Sequence, residues 1–275
     1  MHALPAGRSD AAPCHDALGP AAARKSSAAL ESRVLHRTRH HPHLTPERTL
    51  VWDLPLRLCH AALAASVTGS FVTHWLGAGA FRWHELCGCT TLVLVAFRIA
   101  WGCVGPRHAR FADFVRGPRA VLGHARALAR RAPPVVAGHN PLGGWMVLAL
   151  LALLLAQATS GLVANDAVVD AGPLYGYVSA AQSNAVSWLH RLLSNWILAA
   201  VCLHVVAVLA YRVVLRSDLV GPMLTGFKDG LAPAAGIERS GRGQQLVLAA
   251  TLLAAFAALL GWLLVSAPAF VLIPS

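Results

Sequence analysis

Residues 185–215 read AVSWLHRLLSNWILAAVCLHVVAVLAYRVVL. Apart from Arg191 and Arg212 the run is uncharged, and it exceeds the ~20 residues a helix needs to cross ~30 Å of hydrocarbon. A single apolar run of this length is too long for a barrel strand, so it reads as a transmembrane helix. Two histidines lie in it, His190 and His204, fourteen positions apart. Fourteen residues advance ~21 Å along a helix and drift only ~40° around it. The two imidazoles therefore share one face at two membrane depths. This arrangement suits two planar cofactors stacked through a bilayer, each pinned by an axial imidazole.

Four more apolar runs accompany it, at about Leu54–Leu76, His84–Val104, Gly144–Ala164 and Leu246–Val265. Asp53 is placed to N-cap the first, with Pro55 in its opening turn. The second stops at Gly105-Pro106, and the third lies between Asn140-Pro141 and Asn165-Asp166. Of the 275 residues, 56% are hydrophobic and 13% charged, against ~25% charged in soluble domains. That balance excludes a disordered chain and argues against a soluble domain. The fold class expected is an all-α integral membrane protein: a four-helix bundle plus a fifth, C-terminal transmembrane helix.

The net charge of +11 acquires meaning only when sorted by side. Of the 23 Lys and Arg, 21 fall in the N-terminal stretch through Arg57, in the loop from Arg98 to Arg131, or between Arg212 and Arg242. Arg82 and Arg191 alone fall on the other side. The positive-inside rule then places the N-terminus in the cytoplasm and the C-terminus outside. This sidedness accounts for the charge without nucleic acid. Residues 116–131 are expected to form a short amphipathic helix on the anionic inner leaflet. Trp52, Trp75, Trp83, Trp101, Trp145 and Trp188 fall at predicted helix ends, where interfacial anchors sit.

Three regions are expected along the chain: a disordered basic extension over 1–46, a four-helix domain over 47–230, and a linker with the fifth helix over 231–275. Residues 1–46 contain no apolar stretch of signal-peptide length. The six cysteines (Cys14, Cys59, Cys87, Cys89, Cys103 and Cys202) lack zinc-site spacing and read as small packing residues. No Cys-x-x-Cys-His occurs, so covalent c-type haem attachment is excluded.

Ionisable residues inside membrane spans are functional hypotheses by default. With the topology above, His60 and His204 lie at the inner level and His84 and His190 at the outer level. Two such pairs on facing helices give bis-histidine ligation of two b-type haems, with iron held by His60, His84, His190 and His204. The third segment has no histidine and serves as a wall. His74 lies fourteen residues from His60 and competes with His84 as the outer ligand. Gly88, four residues after His84, leaves room for a porphyrin on the same face. Arg98 lies on that face at the inner level, where it either pairs with a propionate or snorkels to the headgroups.

Several stretches resemble bacterial cytochrome b561 proteins, the group that includes the b-type cytochrome subunits of Ni/Fe-hydrogenases. They are Val51-Trp52-Asp53-Leu54-Pro55-Leu56-Arg57 with Cys59-His60, and Trp83-His84-Glu85 with Gly88. Gly105-Pro106-Arg107-His108-Ala109-Arg110-Phe111 continues into Phe114-Val115-Arg116-Gly117-Pro118. Gly138-His139-Asn140-Pro141-Leu142-Gly143-Gly144-Trp145 precedes the third helix, and Leu189-His190 and Leu203-His204 mark the fourth. The resemblance covers roughly residues 50–230. It implies a four-helix membrane cytochrome with two non-covalent b haems on His60, His84, His190 and His204. Arg191 departs from the acidic residue often found there in the family.

The expected function is electron transfer in the bacterial cytoplasmic membrane, as a non-catalytic electron-transfer protein or subunit. It would link a periplasmic c-type cytochrome or hydrogenase-like partner to quinone. A haem-free histidine-relay transporter and a plain membrane anchor are the alternatives. Against the transporter, no inverted repeats are evident.

Overall fold

The computed structural model describes residues 48–131, 138–166, 170–229 and 241–268. The extension expected over 1–46 lies outside the described residues. Strand β1 (Thr49–Leu50) leads into helix α1 (Leu54–Leu76). Asp53 caps α1 by accepting from the Leu56 amide at 2.9 Å, and α1 stops at Gly77, whose φ of +83° favours glycine. Helix α2 (Phe81–Val104) returns antiparallel and ends before Pro106. The inner loop holds a single turn, α3 (Phe111–Phe114), and the amphipathic helix α4 (Pro118–Ala129). That helix was expected over 116–131, and Pro118 fixes its true start.

Helix α5 (Pro141–Gly161) starts at Pro141 behind the Asn140 cap. Helix α6 (Ala180–Val213) opens with a Ser179/Gln182 capping box. A short helix α7 (Val220–Thr225) and strand β2 (Phe227–Lys228) follow, and α8 (Arg242–Val265) is the last helix. Helix α1 packs along α2, α2 along α5 and α8, and α5 along α6. Helix α6 makes no comparably close packing with α1 or α2, so the bundle opens between them.

Among the described residues, four helical segments are long and apolar enough to cross a membrane: 78–104, 141–161, 180–213 and 242–265. Helix α1 has the length, at 23 residues, but Arg57, His60, Ser66, Thr68, Ser70, Thr73 and His74 lower its apolarity. Part of that polarity is spent on its neighbour. Ser66 and Thr91 share a buried hydrogen bond of 3.0 Å across the α1–α2 seam. Gly69 lets the helices close at Cys87, whose sulfur would lie 2.8 Å from an added Cβ.

The end of the bundle where α1 begins is well packed. There Val51, Trp52, Leu56, Cys59, Leu94, Phe97, Trp101 and Ala109 form one apolar cluster with Ala249 of α8. β1 pairs antiparallel with β2, Thr49 opposite Lys228 and Leu50 opposite Phe227. The amides of Val51 and Trp52 donate to the Gly226 carbonyl at 2.8 and 3.2 Å. The beginning of α1 and the segment after α6 are thus tied at one end of the bundle.

Two of the expected interfacial tryptophans belong to this core instead. Trp101 is 0% exposed, stacks on Phe97 at 5.6 Å and donates its indole N–H to Asp53 at 3.1 Å. Trp52 is buried against His139 at 4.6 Å. The inner ends of α1 and α2 sit beneath the loop ahead of α5, so these rings meet protein. Trp75, Trp83, Trp145 and Trp188 are exposed, as anchors require.

Candidate functional site

At the end where α1 stops and α2 begins, α1, α2, α5, α6 and the loop after α5 line an open cavity of about 640 Å³. That volume falls in the ~300–1,000 Å³ range of cofactor sites. His84 from α2 and His190 from α6 both line it, with ring centres 6.4 Å apart and planes at 79°. Two imidazoles bonded to one metal at ~2 Å each have ring centres ~6 Å apart.

The hydrogen bonds assign the protons of both rings. His84 Nδ1 lies 2.9 Å from the Ser70 carbonyl oxygen. A carbonyl only accepts, so Nδ1 carries the proton and Nε2 holds the lone pair. His190 Nδ1 lies 3.1 Å from the Gln157 carbonyl and 3.0 Å from Ser160 Oγ. Ser160 Oγ spends its own proton on that same carbonyl at 2.9 Å, so it too accepts from Nδ1. His190 Nε2 is then unprotonated and accepts from the Gln157 side-chain amide at 3.1 Å. Both rings are therefore Nδ1–H tautomers oriented by main-chain carbonyls, with His84 Nε2 carrying a lone pair and His190 Nε2 engaged by the Gln157 amide, which a metal there would displace. This is the state of a metal-binding histidine with its supporting hydrogen bond in place.

Gly88 lines the cavity, and a Cβ added there would meet nothing within 4 Å. Gly161 makes room for the His190 ring, since a Cβ there would lie 3.0 Å from its Cε1. His74 also lines the cavity, 6.2 Å from His84. It differs in being exposed and in lying on α1, the helix already packed beside α2.

Toward the opposite end, where α1 begins, His60 and His204 are close enough to interact electrostatically. Arg98 is 5% exposed. Its Nη1 donates to the Ala109 carbonyl at 3.2 Å, and its guanidinium lies over Phe111 at 5.1 Å and Phe114 at 5.9 Å. The side chain is thus held inside the protein and does not snorkel. Its Nη2 is buried without a hydrogen-bond partner. Asp53 lies in this neighbourhood, and burial raises its carboxyl above the usual range against the pull of its hydrogen bonds and of Arg98.

Several of these groups escaped the sequence reading. Segment three, expected to serve as a wall, supplies Gln157 and Ser160 as hydrogen-bond partners of His190. Gln157, Thr159 and Ser160, polar side chains closing an otherwise apolar span, are the available signal. His139 was read only as part of a motif. It packs between Trp52 and Phe114, at 4.6 and 4.5 Å, and its Nδ1 is buried without a partner. Burial, then Arg98, push it down to about 3. On the inner surface, His124 Nε2 and Asn140 Nδ2 both bond the Tyr211 hydroxyl, at 2.9 and 3.0 Å. That tie joins α4, the start of α5 and the end of α6.

A family model described as prokaryotic cytochrome b561 matches residues 51–226. Comparison with curated proteins and with solved structures gives no match. The matched span contains all four paired histidines and the inner loop between α2 and α5. Members of this family are haem b-binding, multi-pass membrane proteins of electron transfer. The chain, with its apolar helices and its paired histidines on facing elements, belongs to the prokaryotic cytochrome b561 family.

Proposed function

We propose that this protein carries two bis-histidine b haems and moves electrons between a periplasmic redox partner and the quinone pool. The outer pair is His84 with His190, and the inner pair is His60 with His204. One observation carries the reading: two imidazoles from facing helices, both fixed as Nδ1–H tautomers, line one cofactor-sized cavity. When bound, haem supplies reversible one-electron chemistry at iron, and the protein supplies ligation, orientation and dielectric.

The residues divide that work. The Ser70 and Gln157 carbonyls hold the outer imidazoles in the ligating tautomer. Gly88 and Gly161 keep side-chain bulk away from the porphyrin and the His190 ring. Arg98, buried with a free Nη2, is placed to pair with a propionate of the inner haem. His190 is preferred to His74 because it lies across the opening from His84 and its ring is locked by hydrogen bonds. The spacing of His190 and His204 sets the two sites ~21 Å apart along α6.

Helix α1 is proposed to cross the membrane with the four more apolar helices, giving five crossings with the N-terminus cytoplasmic. The test is a reduced-minus-oxidised spectrum of the purified protein together with its haem:protein ratio. A b-type α-band and a ratio of two are expected, and His204→Ala should remove the inner haem and leave the outer. A colourless protein, or a ratio of one in the unaltered chain, overturns the reading.

A further inference from the structure

Among the described residues, Arg98 Nη2 and His139 Nδ1 are buried polar atoms without a hydrogen-bond partner. Leaving such atoms unsatisfied costs ~1–3 kcal/mol each, more for a charged group. They belong to one place. Both side chains lie against the Phe114 ring, Arg98 at 5.9 Å and His139 at 4.5 Å from its centre. His139 is within electrostatic range of Arg98, His60 and His204. Trp52 covers its other side at 4.6 Å, and Trp52 is itself pinned through its amide to the Gly226 carbonyl. The imidazole is thus clamped in place beside the inner histidine pair.

The chemistry of this donor set is specific. A guanidinium and an imidazole N–H can both donate to one acceptor, and a carboxylate accepts from both while also neutralising the Arg98 charge. Asp53, the acidic side chain nearby, is already engaged by the Leu56 amide and the Trp101 indole. The carboxylate is therefore sought in a bound group.

We propose that His139 Nδ1–H and Arg98 Nη2 together bind one propionate of the inner haem. This rests on the reading above that His60 and His204 hold that haem. His139 is neutral, so it contributes a hydrogen bond and leaves Arg98 as the one counter-charge. The pair lowers the effective negative charge felt at the iron and so favours its ferrous form.

The test uses the full-length haem-loaded protein and a potentiometric titration that resolves the two haems, with the haem:protein ratio as a second readout. His139→Leu should shift the oxidised-to-reduced ratio of the inner haem about tenfold toward oxidised at fixed potential, a midpoint lowered by about 59 mV for one electron. The outer midpoint should not move. His139→Asn, which restores a donor near the Nδ1 position, should recover the inner midpoint. Arg98→Gln should shift the same haem in the same direction. Selective loss of the inner haem in His139→Leu, restored in His139→Asn, supports the proposal equally. An unchanged inner midpoint with both haems retained means that water alone satisfies His139, and overturns it. Equal shifts in both haems, loss of both haems, or failure of the asparagine to restore the leucine effect also overturns it. A wild-type chain holding fewer than two haems is a different failure, that of the two-haem reading itself.

Discussion

An imidazole offers a metal one nitrogen only when the proton on the other has somewhere to go. His84 gives that proton to the Ser70 carbonyl and His190 gives its own to the Gln157 carbonyl. Neither partner is legible in sequence, because any residue type supplies a carbonyl. The histidines themselves were legible, since ionisable groups in apolar helices are rare and expensive. Their sorting by depth followed from helix geometry and the side of the charges. Gly88 was legible for the same reason, as a missing side chain one turn from His84. A sharp prediction follows at this position. An added Cβ meets no atom within 4 Å, and leucine is the better helix former by somewhat under ~1 kcal/mol. Gly88→Leu should therefore leave thermal stability of the haem-free chain unchanged or slightly raised. The same side chain projects into the cavity, so the haem:protein ratio should fall from two to one, with the inner haem retained. A variant that keeps both haems would show that Gly88 does not face the porphyrin.

Among the elements, the starts set by proline and capping residues were readable, and the packing was not. Asp53, Pro55, Asn140 and Pro141 announce α1 and α5 because they satisfy or replace the orphan amides of a first turn. Nothing local indicates that Trp101 and Trp52 turn inward, because that depends on which loop covers them. The α2–α3 contact shows how tight this covering is. An added Cβ at Gly102 would clash with the edge of the Phe111 ring, and Phe111 in turn supports Arg98. Gly102→Ala should cost ~1–3 kcal/mol of overpacking, read as a lowered Tm in detergent. Gly123→Ala on α4, where an added Cβ meets nothing within 4 Å, is the neutral control.

Helix α4 also carries a pH dependence. Its His124 is buried, bonded to Tyr211, and held below the usual imidazole range by burial. Asn140 and Tyr211 are the groups bonded around it, and neither is charged at neutral pH. A histidine whose folded pKa is lowered adds stability above its unfolded pKa of ~6.5 and loses it as pH falls through the folded value. Trypsin cleavage at Arg119 and Arg126 should accelerate as pH falls below ~6.5, after correction for the enzyme's own profile. His124→Gln should flatten that dependence. An identical pH profile in the variant would place the titrating group elsewhere.

At the scale of the whole molecule, the number of crossings rests on α1, the least apolar of the five long helices. Its ends decide the matter better than its composition does. β1 pairs with β2 after α6, and Trp52 packs on His139 ahead of α5, so α1 begins at the arginine-rich end of the bundle. His74, near its last turn, meets His84 in the first turn of α2 at the opposite end. Helix α1 thus runs the full height beside a partner that is long and apolar enough to cross a membrane. Its polar side chains are tolerated because Ser66 bonds Thr91 and Thr73 bonds the Gly69 carbonyl, which satisfies them inside the bundle. On the five-crossing reading proposed above, the two termini lie on opposite sides, and the positive-inside rule predicts that the side carrying 21 of the 23 basic residues is the cytoplasmic one. Alkaline phosphatase, active only outside the cytoplasm, should be active when fused after Ser275 and inactive when fused after Ser217. A cytoplasm-dependent fluorescent reporter at the N-terminus should be bright. Activity after Ser217 would invert the orientation and with it the assignment of inner and outer haems. A dark N-terminal reporter alone would leave α1 as a helix that enters from and returns to the outer side, and the bundle would cross four times.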